Sequence, residues 1–303
     1  MASNNEVKPF VKWAGGKRGI IETLEKKGFI PKKFNRYFEP MIGAGAVFFY
    51  IVKNYNPKKC IISDINSDLI NTYKAIKKDF DELIEELSKI KDDFYNSKNK
   101  SDFYYTKRDE FNKLKKDKEN HLIYQSALFL FLNKTCFNGL YRVNKKDEFN
   151  VPFGKYKNPK IYDEDNLRKI SKLLQNTKIL NQDFEKAVKD AKKGDFVYFD
   201  PPYVPLSKTS DFTSYTKMDF GLEDQKRLAK VVNKLAKKGC YVMESNSSSD
   251  EIKTIFEGYE NLNIYTIKAP RYISCKSDSR KPVKESVINN YKPEQVNKKI
   301  SVF

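Results

Sequence analysis

The sequence predicts an α/β fold, a doubly wound sheet interrupted by one mainly helical insertion. Three observations carry this. Apolar, β-prone runs alternate with helix-like segments in both halves of the chain. The alternation stops between about Asn71 and Asp163. The runs "RYFEP", "CIISD" and "FVYFD" end abruptly on a proline or an acid, as inner strands of a parallel sheet do where they meet a ligand-facing loop.

Taken in order, "RYFEP" (36–40) is the first strand, a helix over 45–54 follows, and "CIISD" (60–64) is the second strand. Beyond it, "KKDFDELIEELSKI" carries apolar residues at helical spacing, "SDFYYTKRDEFNKL" predicts another helix, and a strongly apolar one spans 121–132. "NGLYRVNKKDEFNVPFGKY" then holds two β-prone runs around the polar turn Asn144–Asp147, which predicts a β-hairpin. The sheet resumes with "KILNQD" (178–183), a helix over 184–192, "FVYFD" (196–200) and a helix over 222–238. "CYVMESN" (240–246), a helix over 249–256, "NIYTIKA" (263–269) and "ESVINNY" (285–291) complete it. The expected organisation is one discontinuous α/β domain, 1–73 and 163–303, with an inserted module over 74–162.

Composition narrows the function. A chain of 303 residues with 39% hydrophobic and 14% aromatic content can bury a large core and is not disordered. No run is long and apolar enough to span a bilayer, and "MASNNEVKPF" has no signal-peptide core, so a cytoplasmic protein is expected. Lys and Arg outnumber Asp and Glu by 58 to 40. A charge of +18 favours a polyanionic partner, although lysine-rich codon usage produces the same excess. Cys60, Cys136, Cys240 and Cys275 form no CxxC pair, and His121 is the only histidine, so neither a zinc cluster nor His-based catalysis is expected. His121 is expected on the apolar helix as a structural residue.

Three stretches carry chemistry. In "FEPMIGAGAVFF" a strand ends at Pro40 and Gly43 and Gly45 lead into a helix. Such glycines let backbone approach a ligand beside a helix dipole, though tight packing explains a GxG equally well. Roughly twenty residues later Asp64 ends the second strand, where an acid suits a ribose diol. The two together favour a cofactor containing adenosine. "KWAGGKRG" (12–19), with Trp13, paired glycines and Lys17, either closes over a small carboxylate-bearing ligand or is a basic N-terminal arm. "DFVYFDPPY" delivers Asp200, Pro201, Pro202 and Tyr203 to the carboxyl end of a strand. There a carboxylate and the Pro201 carbonyl can accept an amine's hydrogens while the Tyr203 ring stacks on a planar heterocycle, a contact worth roughly 1–3 kcal/mol.

At these residues the chain resembles a known family. "DPPY" downstream of "FEPMIGAGA" resembles the N6-adenine DNA methyltransferases that use S-adenosyl-L-methionine, and the motif order resembles their alpha class. "KWAGGK", "DINSDLI", "NGLYRVN", "FNVPFGKYKNP" and "PPYVPLS" with "FTSY" resemble the Dam-type enzymes that methylate adenine in GATC, over most of the chain. The resemblance implies a seven-stranded methyltransferase (Rossmann-like) sheet with an inserted DNA-recognition domain. It implies a cofactor set of Trp13, Ala14, Gly15, Gly16, Lys17, Glu39, Pro40, Gly43, Gly45, Asp64, Ile65, Asp183, Phe184 and Asp200, with no metal. Within it, Asp64 binds the ribose, and Asp183 and Phe184 read and pack the cofactor adenine. The implied DNA-binding set is Lys12, Phe137, Asn138, Gly139, Leu140, Arg142, Asn144, Pro152 and Ser207. Arg142 matches an arginine that reads a base in the second half of GATC; on its own sequence evidence it is equally a phosphate contact or a hairpin ion pair. Phe137 stands at a wedge position where some relatives carry tyrosine. The implied partners are double-stranded DNA and a cognate restriction endonuclease. The competing readings are an N4-cytosine or RNA amine methyltransferase and an inactive DNA-binding regulator; the intact "DPPY", Trp13, Lys17 and Asp64 argue against the last. The loop "TSDFTSY" (209–215) is expected to order over bound DNA.

Overall fold

All seven apolar runs become strands of one sheet. The structure, a computed structural model, describes residues 6–13, 15–117, 121–203, 220–269 and 283–294. The strands are β1 (Tyr37–Glu39), β2 (Cys60–Asp64), β3 (Thr177–Asn181), β4 (Phe196–Phe199), β5 (Tyr241–Ser247), β6 (Asn263–Ala269) and β7 (Val283–Asn289). Their order is β3-β2-β1-β4-β5-β7-β6. The first five are mutually parallel, whereas β7 runs antiparallel to both β5 and β6. Chain order turns back between β1 and β4, so their carboxyl ends open the crevice in which such sheets bind ligands.

Both faces are covered. On one, Phe38, Val197 and Phe199 pack beneath α9 (Leu222–Lys237) and α10 (Asp250–Glu257), which contribute Leu228, Val232, Leu235 and Phe256. On the other, Tyr37, Ile62 and Tyr198 meet α2 (Ala46–Tyr55) and α3 (Ser67–Lys78). That apolar cluster continues without a break into α4 (Phe80–Asn96), α5 (Lys100–Leu114) and α6 (Leu122–Thr135). In α4 the buried side chains are Leu83, Leu87, Ile90 and Phe94, one stripe at helical spacing. Helix α6 is buried on nearly every side because α3, α4 and α5 all pack around it. The chain returns to the sheet through α7 (Glu164–Leu174), while α1 (Arg18–Lys26) precedes β1.

Two expectations need correction. The helix expected over 184–192 is a single turn, α8 (Phe184–Ala187). Beyond it the Asp195 carboxylate accepts from the Lys192 backbone N–H at 2.8 Å and pairs with Arg36 at 2.6 Å, which turns the chain into β4. The expected hairpin shrinks to two isolated antiparallel bridges, Val143 to Phe149 and Cys136 to Phe153. The Val143–Phe149 bridge keeps its two flanking ladder bonds, Asn144 N–H to Glu148 C=O (2.9 Å) and Asn150 N–H to Arg142 C=O (3.1 Å), and side chains of α5 take the backbone groups that face away from it. Asn112 bonds both Phe149 N–H (2.7 Å) and Phe149 C=O (3.0 Å), and the Tyr104 hydroxyl donates to Val151 C=O (2.8 Å). His121 stands immediately before α6, 3.3 Å from Asp117. Cys60, Cys136 and Cys240 are free and buried, while Cys275 lies outside the described residues. Among the described residues no helix is long and apolar enough to cross a membrane.

Candidate active site

Three strands of the sheet each end on an acid at the same edge: Glu39 on β1, Asp64 on β2 and Asp200 just after β4. They line a cleft of about 480 Å³, within the usual size of a small-molecule site. Its wall also includes Trp13, Gly15, Gly16, Lys17, Asp183 and Tyr203, residues scattered over the whole sequence.

The β1–α2 loop is shaped by its glycines. Gly45 caps α2 with φ +76°, and a Cβ there would stand 2.5 Å from the Tyr73 hydroxyl. That hydroxyl donates to Gly43 C=O at 3.0 Å, which fixes the loop from below. Gly43 N–H in turn donates to Asp64 Oδ2 at 3.0 Å, while Asp64 Oδ1 accepts from Asn66 N–H. Burial pushes the Asp64 carboxyl up despite these backbone bonds. Ile65 beside it is 52% exposed, an apolar surface for a ring at the cleft's edge. Glu39 is 2% exposed and accepts from the Tyr37 hydroxyl; burial pushes its pKa well up, against that bond.

Asp200 and Lys17 form the centre. Lys17 Nζ lies 2.8 Å from Asp200 Oδ1, 3.2 Å from Gly15 C=O and 4.6 Å from the Tyr203 ring centroid. Lys17 is only 5% exposed. Burial disfavours its charge, but Asp200, helped by Tyr198 and Glu285, outweighs this and raises its pKa. Burial likewise pushes Asp200 up to about 6, with Lys17 pulling the other way. Tyr203 is pushed far up by burial, with Asp200 and Glu285 adding. Its hydroxyl and Glu285 Oε2 are buried and complete no hydrogen bond among the described residues. The ring is therefore a neutral, cation-backed platform beside a carboxylate.

At the far end of the cleft Asp183 caps α8, accepting from Glu185 N–H at 3.0 Å. Arg227 of α9 donates to both Asp183 oxygens, at 2.8 and 2.9 Å, and lies 4.1 Å from the Phe184 ring centroid. Burial raises the Asp183 carboxyl, but Arg227 outweighs it and holds it below the usual range. Sequence reasoning missed Arg227, which carries no motif and sits on an otherwise ordinary amphipathic helix. It also missed Phe220 and Asp224 on the same wall, and Met41, which stood inside "FEPMIGAGA" and was legible there.

The residues expected to read DNA gather a short way off. Asn133 of α6 accepts from Lys12 N–H at 2.8 Å and donates to Lys12 C=O and Gly139 C=O at 2.9 and 3.1 Å. A Cβ on Gly139, whose φ is +64°, would stand 2.1 Å from the Lys12 side chain. Phe137 opens the same short 3-10 turn and is 51% exposed. Asn138 within it has φ 55°, and Phe137 N–H donates to Pro152 C=O at 2.8 Å. Among the described residues Arg142 has no ion pair, and it is only partly buried; its guanidinium donates to Asn150 Oδ1 at 2.8 Å. Asn144 closes the turn, accepting from Lys146 and Glu148 N–H groups.

The two groups are joined through Tyr141. Its ring stacks on Trp13 with centroids 5.5 Å apart and planes 27° apart, and its hydroxyl donates to buried Asp68 of α3, which also pairs with Lys115 at 2.9 Å. Ala14, Ser207 and the loop 209–215 lie outside the described residues.

A family model described as D12 class N6 adenine-specific DNA methyltransferase matches residues 13–273. The chain is 52% identical over 294 residues to "Type II methyltransferase M.MjaIII" of Methanocaldococcus jannaschii, covering 94% of this chain and 100% of that one. It is 44% identical to "Type II methyltransferase M1.LlaDCHI" of Lactococcus lactis, over 94% of this chain and 96% of that one. It is 38% identical to the "DNA adenine methylase" of Haemophilus influenzae, over 92% of each.

Proposed function

The chain belongs to the D12 class of N6 adenine-specific DNA methyltransferases, and we propose that it moves a methyl group from S-adenosyl-L-methionine to N6 of an adenine flipped out of duplex DNA, within GATC. The observation that carries the reading is the meeting of Asp200, Pro201 and Tyr203 with Glu39, Asp64 and Asp183 around one cleft. This donor set fits the cofactor: an ammonium, a ribose diol and an exocyclic amine each need an acceptor, and the cleft offers acids at separated points. Glu39 would hold the ammonium, Asp64 the ribose, and Asp183 with Phe184 the adenine, with Ile65 against its ring. Trp13, Gly15, Gly16 and Lys17 would cover it from the N-terminal side.

When bound, S-adenosyl-L-methionine supplies an electrophilic methyl on a sulfonium sulfur. The chain's own work is to bring the amine to it. An adenine in the stack cannot reach a recessed cleft, so the base must be extruded. Tyr203 then offers its face to the purine, and Asp200 and the Pro201 carbonyl accept the two N6 hydrogens. Those bonds draw the nitrogen lone pair out of ring conjugation and aim it. Lys17 keeps Asp200 ionised in a site whose burial alone would protonate it. The amine turns acidic as its new bond forms, so Asp200 receives a proton without being a strong base.

Base reading falls mainly to residues 74–162, which we take as the recognition region between the two parts of the catalytic domain, 1–73 and 163–303, with Lys12 joining it from the first part. Lys12 and Arg142 would contact the guanines, Arg142 by exchanging its bond to Asn150 for a bidentate one to O6 and N7. Phe137 would enter the stack beside the extruded base, flanked by Asn138, Gly139 and Leu140, while Asn144, Pro152 and Ser207 would line the duplex. Two of the relatives carry type II names, so a cognate restriction endonuclease in the same cytoplasm is the partner to seek.

Tritiated S-adenosyl-L-methionine and duplexes containing GATC or a scrambled site test the whole reading. Label should enter adenine in the GATC duplex alone. Equal labelling of both removes the specificity, and labelling of neither removes the activity.

A further inference from the structure

Behind the D-P-P-Y turn runs a chain of buried polar side chains that the methyl-transfer reading leaves without a role. Glu244 and Asn246 of β5 and Gln225 of α9 have no solvent exposure. Asn246 Nδ2 donates to Glu244 Oε1 at 2.7 Å and to Gln225 Oε1 at 2.9 Å. Gln225 Nε2 donates to Pro202 C=O at 3.1 Å. Asn246 Oδ1 accepts from Ser247 N–H at 2.8 Å.

The bonds fix one another's direction. The Asn246 amide meets two acceptors on one side and a backbone donor on the other, so it has one satisfactory orientation. Gln225 must then present its oxygen to Asn246, which turns its NH2 toward Pro202. Proline lacks an N–H, so the turn has few backbone bonds with which to hold itself. Its carbonyl is instead anchored to the sheet by a side chain with no freedom to flip.

We propose that Gln225 is a positioning residue for methyl transfer. Through the Pro202 carbonyl, and with Asn246 and Glu244 orienting it, Gln225 sets the direction of the adjoining Pro201 carbonyl and of the Tyr203 ring. This rests on the reading that these two groups hold the target adenine. A misplacement of about 1 Å at a reacting centre slows an enzyme by roughly a hundredfold. Losing the anchor should therefore act on turnover rather than on binding, because no member of the chain beyond Pro202 lines the cleft.

Two variants of the full-length protein test this, in steady-state assays on a GATC duplex. Gln225→Met keeps the volume and removes both bonds; its kcat should fall 10- to 100-fold at every pH, with KM for S-adenosyl-L-methionine and DNA within about threefold of wild type. Gln225→Glu is isosteric, and when protonated it still donates to Pro202 and accepts from Asn246. When ionised it has only acceptors. Its kcat relative to wild type should be near one at pH 6 and fall at least tenfold by pH 9, as burial places the new carboxyl's titration above the ordinary range. A Gln225→Met enzyme with wild-type kcat overturns the role. If that variant fails to fold, the ratio for Gln225→Glu decides alone: a ratio constant with pH overturns the role, and a falling one sustains it. A wild-type enzyme that methylates no adenine overturns the site reading and this role together, whereas an active wild type matched by Gln225→Met overturns the role only.

Discussion

Replacing Glu244 by glutamine should stabilise the protein at neutral pH, by an amount that grows as pH rises. Glu244 is fully buried, with one oxygen bonded to Asn246 and the other unpartnered among the described residues. Burial, against the Asn246 bond and with Asp200 adding, moves its pKa from 4.5 to about 8. The folded state therefore keeps a proton that the unfolded chain releases above about 4.5. Stability is full below 4.5, falls as pH rises through the window, and levels off above 8. Each pH unit within that window removes roughly 1.4 kcal/mol. At pH 7, about 2.5 units into the window, the deficit is roughly 3 kcal/mol; at pH 5 it is under 1 kcal/mol. Glutamine keeps the acceptor for Asn246 and does not titrate. Thermal unfolding of both proteins from pH 5 to pH 8 measures the difference. At roughly 2 °C per kcal/mol for a chain of this size, the gap in Tm should widen by about 5 °C between pH 5 and pH 7. The new NH2 adds an offset that is the same at every pH, so the widening is the observable. A gap that stays constant refutes the argument.

Four further outcomes are expected. The kcat/KM of the wild type should fall as pH drops through about 6, because only the ionised Asp200 accepts an amine hydrogen, and Asp200→Asn should give a low, pH-independent rate. Arg142→Ala should methylate GATC more slowly while losing about 1–3 kcal/mol of discrimination at one base pair, read from kcat/KM on single-mismatch duplexes. Lys115→Met should cost about 3–5 kcal/mol in thermal unfolding, since it strands Asp68 as a buried charge. Lys89→Met, which breaks an exposed helical pair, should leave the transition where it is.

The sheet was legible because its strands are written as short apolar, β-prone runs, in the inner parallel strands nearly unbroken, and each run from "RYFEP" to "ESVINNY" overlaps a strand. The helices of the insertion were legible for a similar reason, in the spacing of Leu83, Leu87 and Ile90. The hairpin was legible as a turn at Asn144–Asp147 but not in its length, because β-prone pattern alone does not show that pairing around it stops at the single Val143–Phe149 bridge. The cleft's motif residues were found, since strand-ending acids and glycines mark a ligand edge. Its supports were not. Glu244 sits within a run that looks like plain core strand, and Arg227 and Gln225 look like polar positions on a solvated helix. Their importance comes from what folding sets beside them, and no local spacing encodes that.

Trp13 is the only tryptophan in the chain. It lines the cleft and stacks on Tyr141, whose sequence neighbours are Leu140 and Arg142. Excitation at the red edge of protein absorbance thus addresses one indole that borders the cleft on one side and the segment Leu140–Arg142 on the other. The protein carries its own optical probe, and its emission should respond separately to small-molecule loading and to duplex engagement, with no label attached.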